Sequence, residues 1–548
     1  MIPKHNNPTN PSATAIAPYN FVPLPEKILI PDESSSSALK YSGEIDLSIK
    51  TETDLYVRCG VRPGQEKSEN PFKNPFRQEF FHRGNPELPV IPGSSFRGML
   101  RSLVEILSFS RMADGFFSDQ KLNYKKPNSS KKAESQYSIG DHVSYEDSNP
   151  DTADFTQNLF GRVTNGKDEK CIRGRVSVGD FPWESSGNGS IFHENDGRRV
   201  PQILSGPKPA SFQMYLTQPS GKKGMLYCWD TGKEESVVRG FKRYWIKTES
   251  KSYVTEAIGK NDTQHTIMRP VKPGNTFGGR ITFTDLSLEE IGALMVALEP
   301  GDELRHQIGM GKPLGMGAVK ITLKSLSILD PQKRYGSFFD ESGNIEAGLM
   351  IDVDMKNKTK KAFENLILSH FKKIEPNFRQ SFWLIPRLAD LRTMMDWNTP
   401  VAANKTEYVR IGKDGQERQW KDRYVLPTPG GVRNPAAPQG AQGNGGGHKN
   451  RSGSQRPVPV TVPVPRQAPP PVKGPVAIAT GQPDKQGKLK KSSDGVWTAE
   501  FEGDSRPVVV GFSDPKMKES LKEGTIGLFY IREANKKSIT ARLDKLLK

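Results

Sequence analysis

A change of hydrophobic period at Pro92-Gly93 constrains this chain more than any other stretch. Leu88-Pro89-Val90-Ile91 reads as the end of an apolar strand, and Pro92-Gly93 turns it. Phe96, Leu100, Leu103 and Leu107 then recur at helical spacing. That spacing predicts an amphipathic helix to about Met112, with Ser94 or Ser95 as its N-cap. A small-residue turn opening a helix leaves backbone N–H groups at the positive end of the dipole, a seat for a phosphate. Arg97 and Arg101 are four residues apart, so they share a face and offer further phosphate contacts. The plainer reading is a capped helix with two solvated arginines.

Charge favours a polyanionic partner. The 548 residues hold 79 basic and 62 acidic side chains, a formal charge of +17. A surplus of that size suits nucleic acid, although a basic protein with no nucleic-acid role has it too. Cys59, Cys171 and Cys228 lie far apart without C-x-x-C spacing, which argues against a disulfide framework or a structural zinc. No apolar run approaches transmembrane length, and the N-terminal stretch lacks a signal-peptide core. The expectation is a cytoplasmic protein with no membrane partner.

Length suggests two to four domains. Residues 1–42 read as an irregular tail, whose apolar Tyr19 to Pro23 could dock on the body or on a partner. Ile45, Leu47 and Ile49 then alternate as a strand, and Leu55-Tyr56-Val57 follows as a second run. Residues 113–150 read as a polar insertion. Phe155 to Phe160 reads as a short helix ending at Gly161. Arg173 to Phe181 reads as a strand, basic at its start through Arg173 and Arg175. Residues 184–275 read as a second insertion, of hairpins reaching away from the core. Phe277 to Phe283 is a strand, and Leu286 to Leu298 a helix with a capping box at Ser287 and Glu290.

A second glycine-bearing stretch follows, IGMGKPLGMGAVKI at 308–321. Gly309, Gly311, Gly315 and Gly317 let backbone approach a ligand closely, and Lys312 supplies charge. It is not a P-loop, since no Lys-Ser or Lys-Thr follows the last glycine and the loop leads into a strand. Beyond it, 326–426 reads as an accessory helical region and 427–475 as a basic Pro/Gly-rich linker. Residues 476–548 hold five strand candidates, which suggests a small barrel of OB or cold-shock type. There Trp497, Phe529 and Tyr530 could stack bases or simply fill the core.

IPGSSFRGMLR at 91–101 and IGMGKPLGMGAVKI at 308–321, in that order, resemble the two signature loops of the RAMP superfamily of CRISPR-associated proteins. LFGRV at 159–163 and RGRVSVGDF at 173–181, between them, are similar to elements of type III backbone subunits. The resemblance covers about 43–325. It implies an α+β protein with a ferredoxin-like, RRM-type core, β-α-β-β-α-β, carrying the 184–275 insertion as a thumb. It also implies a guide-RNA-binding backbone subunit of a type III, possibly III-D, antiviral complex. Its partners would be guide CRISPR RNA, target RNA and other effector subunits. The loops, with Ser94, Ser95, Arg97, Arg101, Arg173, Arg175 and Lys312, would hold RNA phosphates without reading bases.

In type III relatives, target cleavage depends on an Asp in the loop before Ile-Pro-Gly. Here that position falls near Arg77, and 71–86 contain no Asp. Glu79 and His82 could do acid/base work only from other positions, and His306 is the one histidine beside the glycine loop. The expectation leans to a subunit that needs no cofactor. The alternatives are a target-RNA endonuclease using Mg or Mn, a guide-processing ribonuclease, and a general single-stranded RNA-binding protein outside CRISPR.

Overall fold

The computed structural model describes residues 3–8, 14–31, 39–60, 78–112, 123–125, 132–134, 143, 152–163, 171–187, 189–204, 210–219, 226–248, 253–254, 265–339, 343, 347–351, 354–408, 418–434, 485–491, 497–501, 504–512, 526–534 and 539–546. The chain divides into two compact units, Met1–Gly443 and Asn444–Lys548. Strands of the first unit are β1 (Tyr19–Val22), β2 (Tyr41–Thr51), β3 (Val90–Ile91), β4 (Asn123–Lys125), β5 (Lys132–Glu134), β6 (Val176–Val178), β7 (Phe181–Ser186), β8 (Phe241–Tyr244), β9 (Asn275–Leu286), β10 (His306–Gln307), β11 (Ala318–Leu329) and β12 (Leu349–Ile351). Its helices are α1 (Gly93–Leu107), α2 (Phe155–Phe160), α3 (Phe212–Tyr215), α4 (Leu288–Leu298), α5 (Pro331–Gly336), α6 (Met355–Lys372), α7 (Pro386–Met395), α8 (Arg418–Lys421) and α9 (Pro429–Arg433). Among the described residues, no helix is long and apolar enough to cross a membrane.

Alternation in β2 builds the central sheet. Ile45, Leu47 and Ile49 are fully buried and share one core with Phe96, Leu100 and Leu103 of α1 and Ile291 and Leu294 of α4. The sheet runs β10–β11–β2–β9–β7–β3, with β6 also on β9, and its pairings are antiparallel. In chain order the main strands therefore lie fourth, first, third, second, with α1 and α4 as the two crossovers. That order is compatible with a ferredoxin-like core. The opposite face of the sheet is tied by charge. Arg280 bonds Asp46 at 2.7 Å, and Lys324 reaches Glu184 at 3.0 Å.

Several boundaries differ from the sequence reading. The strand expected at 173–181 is β6 and β7, separated at Gly179 and Asp180. Leu55 to Val57 joins no ladder, and only isolated bridges tie Leu55 to Val271 and Arg58 to Phe80. The capping box at Ser287 and Glu290 forms, but Leu286 ends β9 and is not a helix residue. β11 runs on to Leu329 through a bulge between Leu323 and Ser325.

The insertion at 184–275, expected to reach outward as a thumb, packs onto the core over its described residues. Phe212, Trp229, Phe241 and Trp245 are buried in the main core, and β8 pairs with β1. Aromatic side chains of this size gain more from burial than an exposed hairpin could return. The same pairing gives the expected N-terminal tail a place. Val22 is fully buried, and the Asn20 amide donates to Pro427 O at 3.0 Å. The expected linker starts late, because Thr428 caps α9 and Val432 is buried. Nor is 326–426 merely accessory, since Phe363, Ile367, Leu388 and Leu391 belong to the main core.

In the second unit, β13 (Lys485–Lys491), β14 (Trp497–Phe501), β15 (Asp504–Phe512), β16 (Ile526–Ala534) and β17 (Ile539–Leu546) each pair with two others. The order β13–β14–β15–β17–β16 thus returns on itself, with β15–β17 the parallel pair. Trp497 lies on β14 and Phe529 and Tyr530 on β16, but their side chains lie outside the described residues.

Helix α6 seats on α4 at Gly292, where an added Cβ would lie 2.0 Å from Thr359 O. Alanine there would gain about 1 kcal/mol of helix propensity. Overpacking costs about 1–3 kcal/mol, and with a backbone oxygen as the obstacle it should prevail. Gly292→Ala is therefore expected to lower the thermal midpoint; an unchanged or higher midpoint would refute this packing.

Candidate nucleic-acid interface

Helix α1 starts two or three residues earlier than its sequence suggests. Pro92 is the N-cap, no side chain caps it in the usual way, and Ser94 and Ser95 lie inside the first turn. The cause is steric. A Cβ on Gly93 would lie 2.3 Å from Val178 O, so glycine lets the helix start against the β6–β7 turn. Asp180 in that turn then accepts the Gly93 N–H at 2.8 Å and Arg83 Nε at 2.7 Å. Burial raises the Asp180 pKa, but the Gly93 N–H and Arg83 outweigh it and hold the carboxyl below its usual value. The expected phosphate seat therefore holds a carboxylate of this chain.

The arginines expected to meet phosphates close the C-terminal end of α2. Arg97 Nη2 donates to Phe160 O at 2.5 Å, Arg101 Nη1 to Gly161 O at 3.5 Å and Arg175 Nε to Asn158 O at 3.2 Å. Helix ends leave such carbonyls unsatisfied, and cations there also suit the dipole. Arg101 pairs with Glu105 at 3.0 Å, and Arg175 pairs with Glu290. Arg173 is exposed, and Ser94 is exposed at the start of α1.

The glycine loop joins β10 to β11. Gly309, Gly311, Gly315 and Gly317 all have positive φ, between 71° and 90°. Two of them are also required by close backbone approach. A Cβ on Gly309 would lie 2.3 Å from Tyr56 O, and one on Gly317 would lie 2.0 Å from Ile308 O. Met310, Gly315 and Gly317 spend their N–H groups inside the protein, on Tyr56 O, Lys312 O and Asp54 O. The loop is a rigid mount for its one lysine.

Two cations that sequence reasoning missed lie by this loop, and one of them, Arg243, acts on Lys312. Arg243, on β8, donates to Ser102 Oγ of α1 at 3.4 Å, and Lys247 Nζ donates to Pro313 O at 2.9 Å. Burial, then the charge of Arg243, pushes the Lys312 pKa down to about 8. Burial pushes Arg243 down to about 10. Among the described residues, none of the three forms a salt bridge with a carboxylate. Helix α1, β8 and the glycine loop thus converge on a basic cluster. Nothing local marked Arg243 and Lys247, because their placement depends on the insertion folding back.

The acid/base candidates are not brought together. His306 is buried, its Nε2–H on Ala297 O at 2.7 Å, and burial pushes its pKa down to about 4. His82 is buried, and its Nδ1 accepts the Gly84 N–H at 3.1 Å. Glu79 is held by Arg198 at 2.8 Å and Arg269 at 3.4 Å. Among the described residues, no group of three His, Cys, Asp or Glu side chains could hold a metal ion.

Asp180 gives this site a pH signature. A carboxyl held low in the fold adds stability above its unfolded pKa, and loses it as pH falls through the folded value. Asp180→Asn is expected to cost about 1 kcal/mol at neutral pH, as loss of a helix-start acceptor does. The gap should close below about pH 4, where an unfolded aspartate protonates. Denaturant melts of both proteins across pH check it, and a gap independent of pH would contradict it.

No curated protein matches the chain. Residues 48–320 match the family model of the RAMP superfamily, a span running from within β2 to within β11 and holding both glycine-bearing stretches. RAMP proteins typically bind CRISPR RNA and other Cas subunits. Over residues 48–320 the chain is thus similar to the RAMP superfamily, a family of CRISPR-associated, RNA-binding proteins.

Proposed function

We propose that the chain is a guide-RNA-binding backbone subunit of a type III CRISPR interference complex, of the insertion-bearing III-D kind. The observation that carries this reading is the pair Lys312 and Arg243, neither in a salt bridge with a carboxylate among the described residues, at the family's glycine loop, with Lys247 near Glu407 on the adjoining stretch of chain. Cations aimed at phosphates grip a strand of any sequence, which a guide-holding subunit requires. Arg173 and the turn at Ser94 would extend the phosphate path. Arg97, Arg101 and Arg175 hold the scaffold beneath it. The second unit, as a small barrel of OB or cold-shock type, would add stacking contacts through Trp497, Phe529 and Tyr530. Target RNA and neighbouring effector subunits complete the assembly, which acts in antiviral defence. Metal-dependent target cleavage has no carboxylate in the family's position to support it.

Lys312→Ala and Arg243→Ala are each expected to weaken single-stranded RNA binding uniformly across sequences. Each should reduce the slope of log affinity against log salt by about 1. Unchanged affinity and slope in both variants would overturn the assignment.

Binding should also fall as pH rises past about 8, because the Lys312 ammonium is lost there. Lys312→Arg, charged at all these pH values, should abolish that fall. A fall that persists in Lys312→Arg would show that another group titrates.

A further inference from the structure

Outside the basic cluster, the N-terminal segment, the insertion, α6 and α7 line a cavity of about 270 Å³. Its walls are mostly apolar, from Phe21, Leu24, Phe109, Val238, Phe371 and Ile374. Lys4 and Glu375 also line it, and both are exposed, so its mouth lies at the surface. Two guanidiniums sit over rings of the wall. Arg239 lies 5.5 Å from the centre of Phe21, and Arg387 lies 4.5 Å from that of Phe109.

Most polar groups of the wall are matched within the chain. Arg239 donates to Leu426 O at 2.5 Å and Pro427 O at 2.9 Å. Arg387 donates to Pro23 O at 3.2 Å and to Ile106 O. His5 Nε2 lies 3.1 Å from Leu426 O, and its Nδ1 accepts the Gln218 N–H at 3.1 Å. Asp390 differs. Its Oδ1 accepts the Gly430 N–H at 2.9 Å, while Oδ2 makes no hydrogen bond among the described residues. Burial pushes this carboxyl up to about 6, against the Gly430 N–H and the charge of Arg239.

These features select an occupant. Aromatic rings and guanidiniums favour a planar π system between them. Two guanidiniums against one carboxylate count against a cation in so apolar a space. The spare hydrogen-bonding capacity at the buried wall is the Asp390 acceptor, so the occupant has to present a donor. A neutral nucleobase carrying an amino group meets all three conditions.

We propose that this cavity binds an amino-bearing nucleobase, such as adenine, with its ring against the aromatic wall and its amino group donating to Asp390 Oδ2. The same chemistry is offered by a free nucleoside and by a base of a single strand. The site is separate from the Lys312 and Arg243 pair and does not rest on the RNA-binding reading.

Calorimetric titration of the full chain with adenosine tests the proposal. Saturable binding is expected. Purine riboside, which lacks the amino group, should bind at least ~10-fold more weakly, the scale of a hydrogen bond to a charged group. Asp390→Asn can keep an oxygen on Gly430 and turn an amide N–H to the cavity, so it should weaken adenosine binding by a similar factor. Ile374→Trp should fill the cavity and abolish binding, with thermal melts confirming that both variants fold. A single-stranded oligoadenylate that displaces adenosine would support the site with a strand as the source of the base. Saturable adenosine binding that the oligoadenylate leaves unchanged would support it with a free nucleoside as the source. No adenosine binding by the wild type, equal binding of purine riboside, or unchanged affinity in a folded variant would overturn the proposal.

Discussion

At the end of β10 the chain passes so close to the segment after β2 that backbone meets backbone. Met310 N–H donates to Tyr56 O and Gly317 N–H to Asp54 O, each at 2.8 Å. No side chain fits at Gly309 or Gly317 under that constraint. The loop is therefore locked to the central strand, and β2 is itself fixed between β11 and β9 by a nine-residue register on each side. Everything placed by the loop inherits that rigidity. Lys312 is held where β8 delivers Arg243, and Asp54 is held where the insertion delivers His193.

Two like charges brought together in partial burial raise the energy of the free protein. The downward shift of Lys312 expresses that cost, since its ammonium is disfavoured first by lost hydration and then by Arg243. An anion entering the cluster relieves both terms at once. The ordinary surface pairs offer no such relief, because Arg280 with Asp46 and Lys324 with Glu184 are already matched. The sheet face they cover is thereby closed as a stacking platform. Under the proposed function, single-strand contacts would lie at the rim, where α1, β8 and the glycine loop meet.

Local signals are legible in the sequence and long-range ones are not. The alternation of Ile45, Leu47 and Ile49 and the capping box at Ser287 depend on neighbours a few residues apart, and both appear as read. The glycines at 309–317 marked a close backbone approach, although the partner turned out to be this chain's own Tyr56 and Ile308. The arginines of α1 looked free because the carbonyls they satisfy lie some sixty residues on. Asp180 at the helix start is 87 residues from Gly93, and His193 is 139 from Asp54. No spacing rule reaches such pairs. The packing of the insertion is illegible for the same reason, since its short strand-like pieces give no hint that Trp229 and Trp245 are buried in the main core.

The central claim is that the basic cluster holds a guide RNA. Its most direct test is to express the chain with the products of its neighbouring genes, purify the assembly and sequence the RNA that comes with it. The account expects RNAs of uniform length that share one constant, repeat-derived 5′ end and differ elsewhere, as phosphate-only recognition allows. A heterogeneous pool without a common end, or no RNA even at low salt where phosphate contacts are strongest, would contradict it.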